Sequence, residues 1–262
     1  MLNLIFNRLI NQIKIISTKS KLIDKLLSQN FLLKLAYFYA GLKLKQESAR
    51  CKNTKQCIDI ALNYQYSLLK NSAPIIVLSA LQKEREISKF CKLIAPMRPK
   101  AILEIGTANG GTLFLLSKFS APDSLIISVD LPVGPFIGGI NYKTSSFYKA
   151  FTSHKQKMVL ISRDSHKPST LEKVKKNLKK KQLDILFIDG DHSYEGVKQD
   201  FEMYSPLVKK KGIIAFHDIV VVPEENVEVN KFWNEIKKNY EYFEYVEDWN
   251  QGNCGIGVII SN

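Results

Sequence analysis

The sequence predicts a doubly wound α/β fold with a helical N-terminal extension, and three observations carry that prediction. Beyond Pro99, apolar runs of strand length recur at residues 101–105, 125–129, 158–161, 184–188 and 212–216. Stretches of helical character separate them, at 111–119, 145–153, 168–180 and 194–209. Two alternating segments, 240–246 and 255–260, end the chain behind a helical stretch near 229–239. Short apolar strands alternating with helices are the pattern of βα units, and hence of a parallel sheet covered on both faces. The last two segments read as an antiparallel hairpin, which brings the expected sheet to seven strands.

The expected division is a helical extension over residues 1–80 and an α/β domain over 81–262. Within the first 16 residues, Leu2, Ile5, Phe6, Leu9, Ile10 and Ile13 fall at helical spacing. Arg8, Asn11, Gln12 and Lys14 interrupt any run long enough to span a bilayer. A second amphipathic helix is expected over 22–40, broken by Asp24, Lys25, Gln29, Asn30 and Lys34. Two more are expected at 56–69 and 82–94, on either side of the Pro-containing stretch 71–79. Pro96 and Pro99 end the last of them. No cleaved leader is recognisable, and the expected location is cytoplasmic.

Composition narrows the classes. Hydrophobic residues make up 45% of the chain, enough for a packed core. Cys51, Cys57, Cys91 and Cys254 form no CxxC pair, so reduced thiols are expected in place of a zinc site or a disulfide framework. The formal charge is +13, and residues 1–50 hold nine Lys/Arg against Asp24 and Glu47. Such an arm suits an anionic neighbour, such as a membrane surface touched peripherally, although most amphipathic helices pack on their own domain or on a sister subunit. The Lys runs 173–181 and 209–211 read as solvated helix ends. No aromatic residues are interleaved with them for base stacking, so nucleic acid is not an expected partner.

The first expected strand runs into Glu104-Ile105-Gly106-Thr107-Ala108-Asn109-Gly110-Gly111-Thr112. Glycine at a strand-to-helix turn lets backbone approach a ligand, and the helix start behind it offers free N–H groups. The spacing is neither a P-loop nor a Gly-x-Gly-x-x-Gly turn. Glu104 can accept a hydrogen bond from a ligand ammonium. The second strand ends in Asp130, about 20 residues on, where an acid can hold the two ribose hydroxyls of an adenosine-containing ligand. Alone, each feature has a structural reading, as a tight turn and as a cap.

Together these residues resemble motif I and the ribose-binding acid of the class I S-adenosylmethionine-dependent methyltransferases. Ser162-Arg163-Asp164-Ser165-His166, the segment Phe187 to Val197, and Ala215-Phe216-His217-Asp218 narrow the resemblance. They are similar to the subgroup of catechol-type and macrolide-sugar O-methyltransferases and cephalosporin hydroxylase-like proteins. The likeness runs from about Leu81 to the C-terminus. It implies a Rossmann-like methyltransferase sheet, with Glu104, Gly106, Thr107, Asn109, Gly110, Gly111, Thr112, Asp130, Asp164, Ser165 and Asp189 around the cofactor. Asp164 and Ser165 fall at the adenine. Asp189, His217 and Asp218 fall on the positions that ligate a divalent cation such as Mg²⁺, and His192 falls on the general base. His217 stands where metal-dependent relatives usually carry a carboxylate, a less natural donor to Mg²⁺.

The expected function is methyl transfer to a hydroxyl of a small molecule or a sugar-containing glycan. Two alternatives remain at this stage. One is an iron-dependent oxygenase using the His/Asp cluster, which leaves the glycine loop and Asp130 without a purpose. The other is a nucleic-acid-directed methyltransferase using the basic arm, which lacks an Asn-Pro-Pro-Tyr-type site after the fourth strand. The remaining polar and aromatic residues have plainer readings. Asp191 and Ser193 suit helix caps, His166 a turn or cap, His154 the surface, and Phe232, Trp233 and Tyr242 packing. The Gly- and Pro-rich stretch 131–140 reads as a substrate-covering loop or a plain connection.

Overall fold

A computed structural model describes residues 29–67, 76–133, 139–141, 143–223 and 227–262. The helix expected over 1–16 lies outside them. Helices α1 (Gln29–Ala49) and α2 (Thr54–Asn63) come first, then the short strands β1 (Gln65–Tyr66) and β2 (Ile76–Val77), then α3 (Glu84–Ile94). The main run follows as β3 (Ala101–Ile105), α4 (Gly111–Phe119), β4 (Leu125–Asp130), α5 (Thr144–Lys149), β5 (Lys157–Ser162), α6 (Pro168–Leu178), β6 (Leu183–Ile188), α7 (Tyr194–Tyr204) and β7 (Val208–His217). Helix α8 (Val229–Ile236) and strands β8 (Tyr242–Tyr245) and β9 (Ile256–Ile260) end it.

The large sheet has seven strands in the order β5-β4-β3-β6-β7-β9-β8. β3 through β7 pair in parallel, and β9 pairs antiparallel with both β7 and β8. Alternation along each strand sends neighbours to opposite layers. Ile102, Ile126, Phe187 and Ala215 face one core, with Ala36, Ile58, Phe90, Phe114 and Phe147 from the helices over it. Leu103, Ile127, Leu186 and Ile214 face the other, with Val174, Val197, Phe201, Phe232 and Trp233. Helices α1 and α2 therefore share the first core, and the Tyr64 hydroxyl donates to Ala40 O at 2.9 Å. Among the described residues no helix is long and apolar enough to cross a membrane.

Several expected boundaries shift, each for a local reason. The helix expected over 56–69 starts at Thr54, where the Asn53 side chain accepts from Gln56 N, and stops at Asn63. Gln65 and Tyr66 instead pair with Val77 and Ile76. The helix expected to reach residue 209 ends at Tyr204, because Pro206 follows in a 3-10 turn that cannot continue an α-helix. The Lys run 209–211 is accordingly strand β7 and not a helix end, and Lys209 forms an ion pair with Asp184 on β6. The helix expected over 145–153 is shorter, Thr144–Lys149, and Asn141 Oδ1 accepts from Thr144 N at its start. Phe232 and Trp233 are core residues, and Ser193 caps α7 by accepting from Gly196 N.

Candidate functional site

The carboxyl ends of β6, β3, β4 and β5 lie side by side, where ligands of an open α/β sheet bind. The β3 end is tied to the β6 end by Asp189 N donating to Ile105 O at 2.8 Å. Gly106 then turns away with φ +86°, and a Cβ there would lie 1.8 Å from the Asp189 carbonyl oxygen. Only glycine passes over that carbonyl. Asp130 holds the loop from the neighbouring strand. Its Oδ2 accepts from Thr107 N and Ala108 N, both at 2.9 Å, and its Oδ1 accepts from Leu131 N at 2.7 Å. Burial pushes the Asp130 carboxyl up, against the pull of these three N–H groups. The Tyr148 hydroxyl donates to Ala108 O at 2.8 Å and steadies the loop from the side.

A cavity of about 440 Å³ follows, walled by Gly106 and Ala108, Asp130 and Leu131, the stretch Arg163 to His166, and Asp189 to His192. Beneath the loop, Glu104 is wholly buried. Its Oε2 accepts from the Ser128 hydroxyl at 2.8 Å, while Oε1 has no hydrogen-bond partner among the described residues. Burial drives this carboxyl well above the usual range, with the Ser128 bond opposing.

At the β6 and β7 ends, two carboxylates and two imidazoles interleave. His217 Nδ1 lies 3.0 Å from Asp189 Oδ1 and 3.3 Å from Asp218 Oδ2. His192 Nε2 lies 3.5 and 3.7 Å from the same two oxygens. Burial alone would raise Asp189, but the facing His217 and His192 pull it down to about 2. Burial alone would lower His217, and the pair Asp189 and Asp218 instead lifts it well above the ordinary value. Asp218 has φ +59° and its Oδ1 accepts from Cys254 N at 2.9 Å, which fixes the carboxylate.

The donor chemistry of this cluster fits a divalent cation. Asp189, His192 and Asp218 each offer a donor atom within 4.8 Å of the others, and so do His217, Asp218 and Cys254. A donor set that mixes carboxylate with imidazole suits an ion of the zinc or manganese type better than Mg²⁺, which favours oxygen donors throughout.

A second cavity, of about 930 Å³, adjoins the first at Ala108, Asp189 and His192. Its walls come from distant parts of the chain, including Asn63, Gln82, Lys83, Pro223 and Asn253. The loop that supplies Asn253 and Cys254 is anchored by Glu86, which is buried on α3. Glu86 Oε1 accepts from Glu247 N and Gln251 Nε2, and Oε2 accepts from Gly255 N.

Of the residues singled out in the sequence, Gly106, Asp130, Asp164, Ser165, Asp189 and His192 border the first cavity, and His217 and Asp218 border the second. Glu104, Thr107, Asn109, Gly110, Gly111 and Thr112 do not. They shape the loop from behind: Thr107 is bonded to Ser128, Gly111 abuts Ser79 and Ala80, and Thr112 accepts from Gln82 Nε2. Tyr148, Glu86 and the second cavity's walls at Asn63, Gln82, Lys83, Pro223 and Asn253 were not foreseen, because none lies in a recognisable motif. His166 was read as a turn or cap residue. Its backbone does turn on Asp164 Oδ1, but its ring also joins Asp200 of α7.

Comparison with known proteins agrees with this geometry. Residues 103–219 match the family model of a methyltransferase domain. The uncharacterized protein y4gI of Sinorhizobium fredii is 29% identical over 147 residues, 55% of this chain and 16% of its own length. Protein R132 of Acanthamoeba polyphaga mimivirus, also uncharacterized, is 32% identical over 117 residues, 44% of this chain and 50% of its own. The chain thus spans half or less of these relatives. An O-methyltransferase from Bacillus cereus, solved in complex with SAH, shares the fold with a TM-score of 0.50. The alignment covers 72% of this chain and 84% of that one, at 15% identity. With the glycine loop, the strand-end acids and the seven-stranded order in place, the segment 103–219 is similar to a methyltransferase domain, and the sheet has the fold of the O-methyltransferase it matches.

Proposed function

We propose that the chain transfers the methyl group of S-adenosylmethionine to a hydroxyl of a small molecule or glycan. One observation carries the reading: two cavities meet at Ala108, Asp189 and His192, as a reaction between two bound molecules requires. The first has a loop-and-acid wall suited to a nucleoside, with Asp130 placed for the ribose diol. The sulfonium end then falls beside Asp189, at the opening into the second cavity. The second cavity carries amide, hydroxyl and lysine groups suited to a polar acceptor.

In this reading the acceptor oxygen attacks the methyl carbon in line as the carbon–sulfur bond breaks, leaving S-adenosylhomocysteine. The walls align the two molecules, an effect that accounts for much of such a barrier. His192 stands at the junction to take the hydroxyl proton. Asp189, His217 and Asp218 are the residues that would hold a divalent cation, which supplies a lowered hydroxyl pKa when bound.

Isothermal titration with S-adenosylhomocysteine tests the cofactor half. Saturable binding is expected, weakened at least about tenfold, roughly 1.4 kcal/mol, in Asp130→Ala. No binding to the intact protein would overturn the reading. For the metal, equilibrium dialysis against Mn²⁺ should show uptake that Asp218→Ala abolishes.

A further inference from the structure

Asp200 is a fully buried carboxylate that the reaction scheme does not use. Among the described residues, neither of its oxygens has a hydrogen-bond partner apart from the approach of His166 Nε2 to Oδ1 at 3.3 Å. A buried charge without a counter-charge is costly, so the pairing requires an explanation. The same Nε2 lies 3.1 Å from Gly196 O, an atom that only accepts, so Nε2 carries the proton and donates to both. Helix α7 grips the same stretch at two further points: the Tyr204 hydroxyl donates to Ser165 O at 2.7 Å, and Gln199 Nε2 donates to His166 O at 3.4 Å. Four side chains or carbonyls of one helix therefore hold the short segment after β5.

That segment is the end wall of the first cavity. The order β6, β3, β4, β5 places the reacting end at Asp189 and the ribose acid at Asp130 on β4. The nucleobase must then lie beyond β4, against Arg163 to His166. From this geometry we infer that His166 is a cofactor-binding residue whose ring walls the nucleobase end, and that Asp200 is the positioning residue that holds the ring there. The inference rests on the proposed cofactor. It adds a residue pair that links the base subsite to the helix starting just after His192. The bond from Nε2 faces the helix, and His166 itself lines the first cavity. The hydrogen bond to Asp200 pushes the His166 imidazole up from its ordinary value, burial opposes the rise, and nearby Asp164 and Asp191 add to it.

Titration calorimetry on the full chain separates the parts, with S-adenosylhomocysteine and adenosine as the two probes. His166→Gln keeps an amide N–H where Nε2 sits, so the tether and the fold survive while the ring is lost. Both probes should then weaken by the same factor, about tenfold, since the contact is to the nucleoside they share. Asp200→Asn keeps an acceptor for Nε2–H and should weaken both by less than about threefold. Asp200→Leu, which removes the acceptor, should bring binding down to the His166→Gln level if it folds. Wild-type affinity for both probes in a folded His166→Gln protein would overturn the inference alone. A loss confined to S-adenosylhomocysteine would overturn it as well, by placing the ring away from the nucleoside. Failure of the wild-type chain to bind either probe would overturn the cofactor reading beneath it.

Discussion

The two cavities that meet at Asp189 are built in opposite ways. The first is made by consecutive βα turns of one sheet, so each wall is a short stretch just after a strand end. The second is assembled from α2, the segment before α3, the stretch after β7 and the loop between β8 and β9. Strand ends are fixed by the ladder beneath them, whereas the second set depends on loops tied down by single side chains such as Glu86. The difference teaches where this molecule is rigid by construction and where it is free to vary. The first cavity cannot change without disturbing the sheet; the second can be rebuilt loop by loop.

The largest effect should come from the most constrained point. In Gly106→Ala the new methyl meets a backbone carbonyl at 1.8 Å, and no rotamer relieves it. The φ of +86° adds strain of its own. A loss above about 4 kcal/mol is expected in urea denaturation, beyond the usual range for single substitutions. On the other side, the exposed Asn253→Ala should stay within about 0.5 kcal/mol of wild type. If both variants proved equally mild, the contrast between the two cavities would fail.

The same contrast explains what the sequence disclosed. The parallel sheet was legible because strands buried on both faces read as unbroken apolar runs, as in Ala101–Ile105. Asp130, Asp189 and the His217-Asp218 pair were legible because they close such runs. Gly106 was legible as a turn, but its reason, the Asp189 carbonyl beneath it, required the β3–β6 pairing. Glu86 carries no signal at all: on an amphipathic helix it looks like a solvated residue, and only the fold brings residues 247–255 to it. His166 lay inside a quoted motif, yet its partner Asp200 sits 34 positions away on the polar-looking side of α7. Local pattern shows which residues end a strand. It does not show which distant side chain they meet.

A middle-sized effect tests how well the second cavity can be separated from the first. Glu86→Gln swaps one accepting oxygen for an NH₂ group that faces N–H donors. About 2 kcal/mol should be lost, the usual cost of unmade buried hydrogen bonds. Amide hydrogen exchange at Glu247 and Gly255 should quicken, while the affinity for S-adenosylhomocysteine stays within twofold. A large fall in that affinity would mean that the two cavities share one support.

The smallest effect should have the opposite sign. Ala108 sits at φ +42°, a left-handed conformation that costs an L-residue about 1–2 kcal/mol. Its amide is held by Asp130 and its carbonyl by Tyr148, so the strain is imposed by the cavity wall itself. Ala108→Gly relieves it, offset by about 0.5–1 kcal/mol for the freer unfolded chain, which leaves a gain of roughly 0.5 kcal/mol. A small upward shift of the urea midpoint is the expected reading. If the midpoint falls instead, the alanine methyl must be making contacts worth more than the strain. The rigidity of the first cavity would then come from side-chain packing as much as from the backbone.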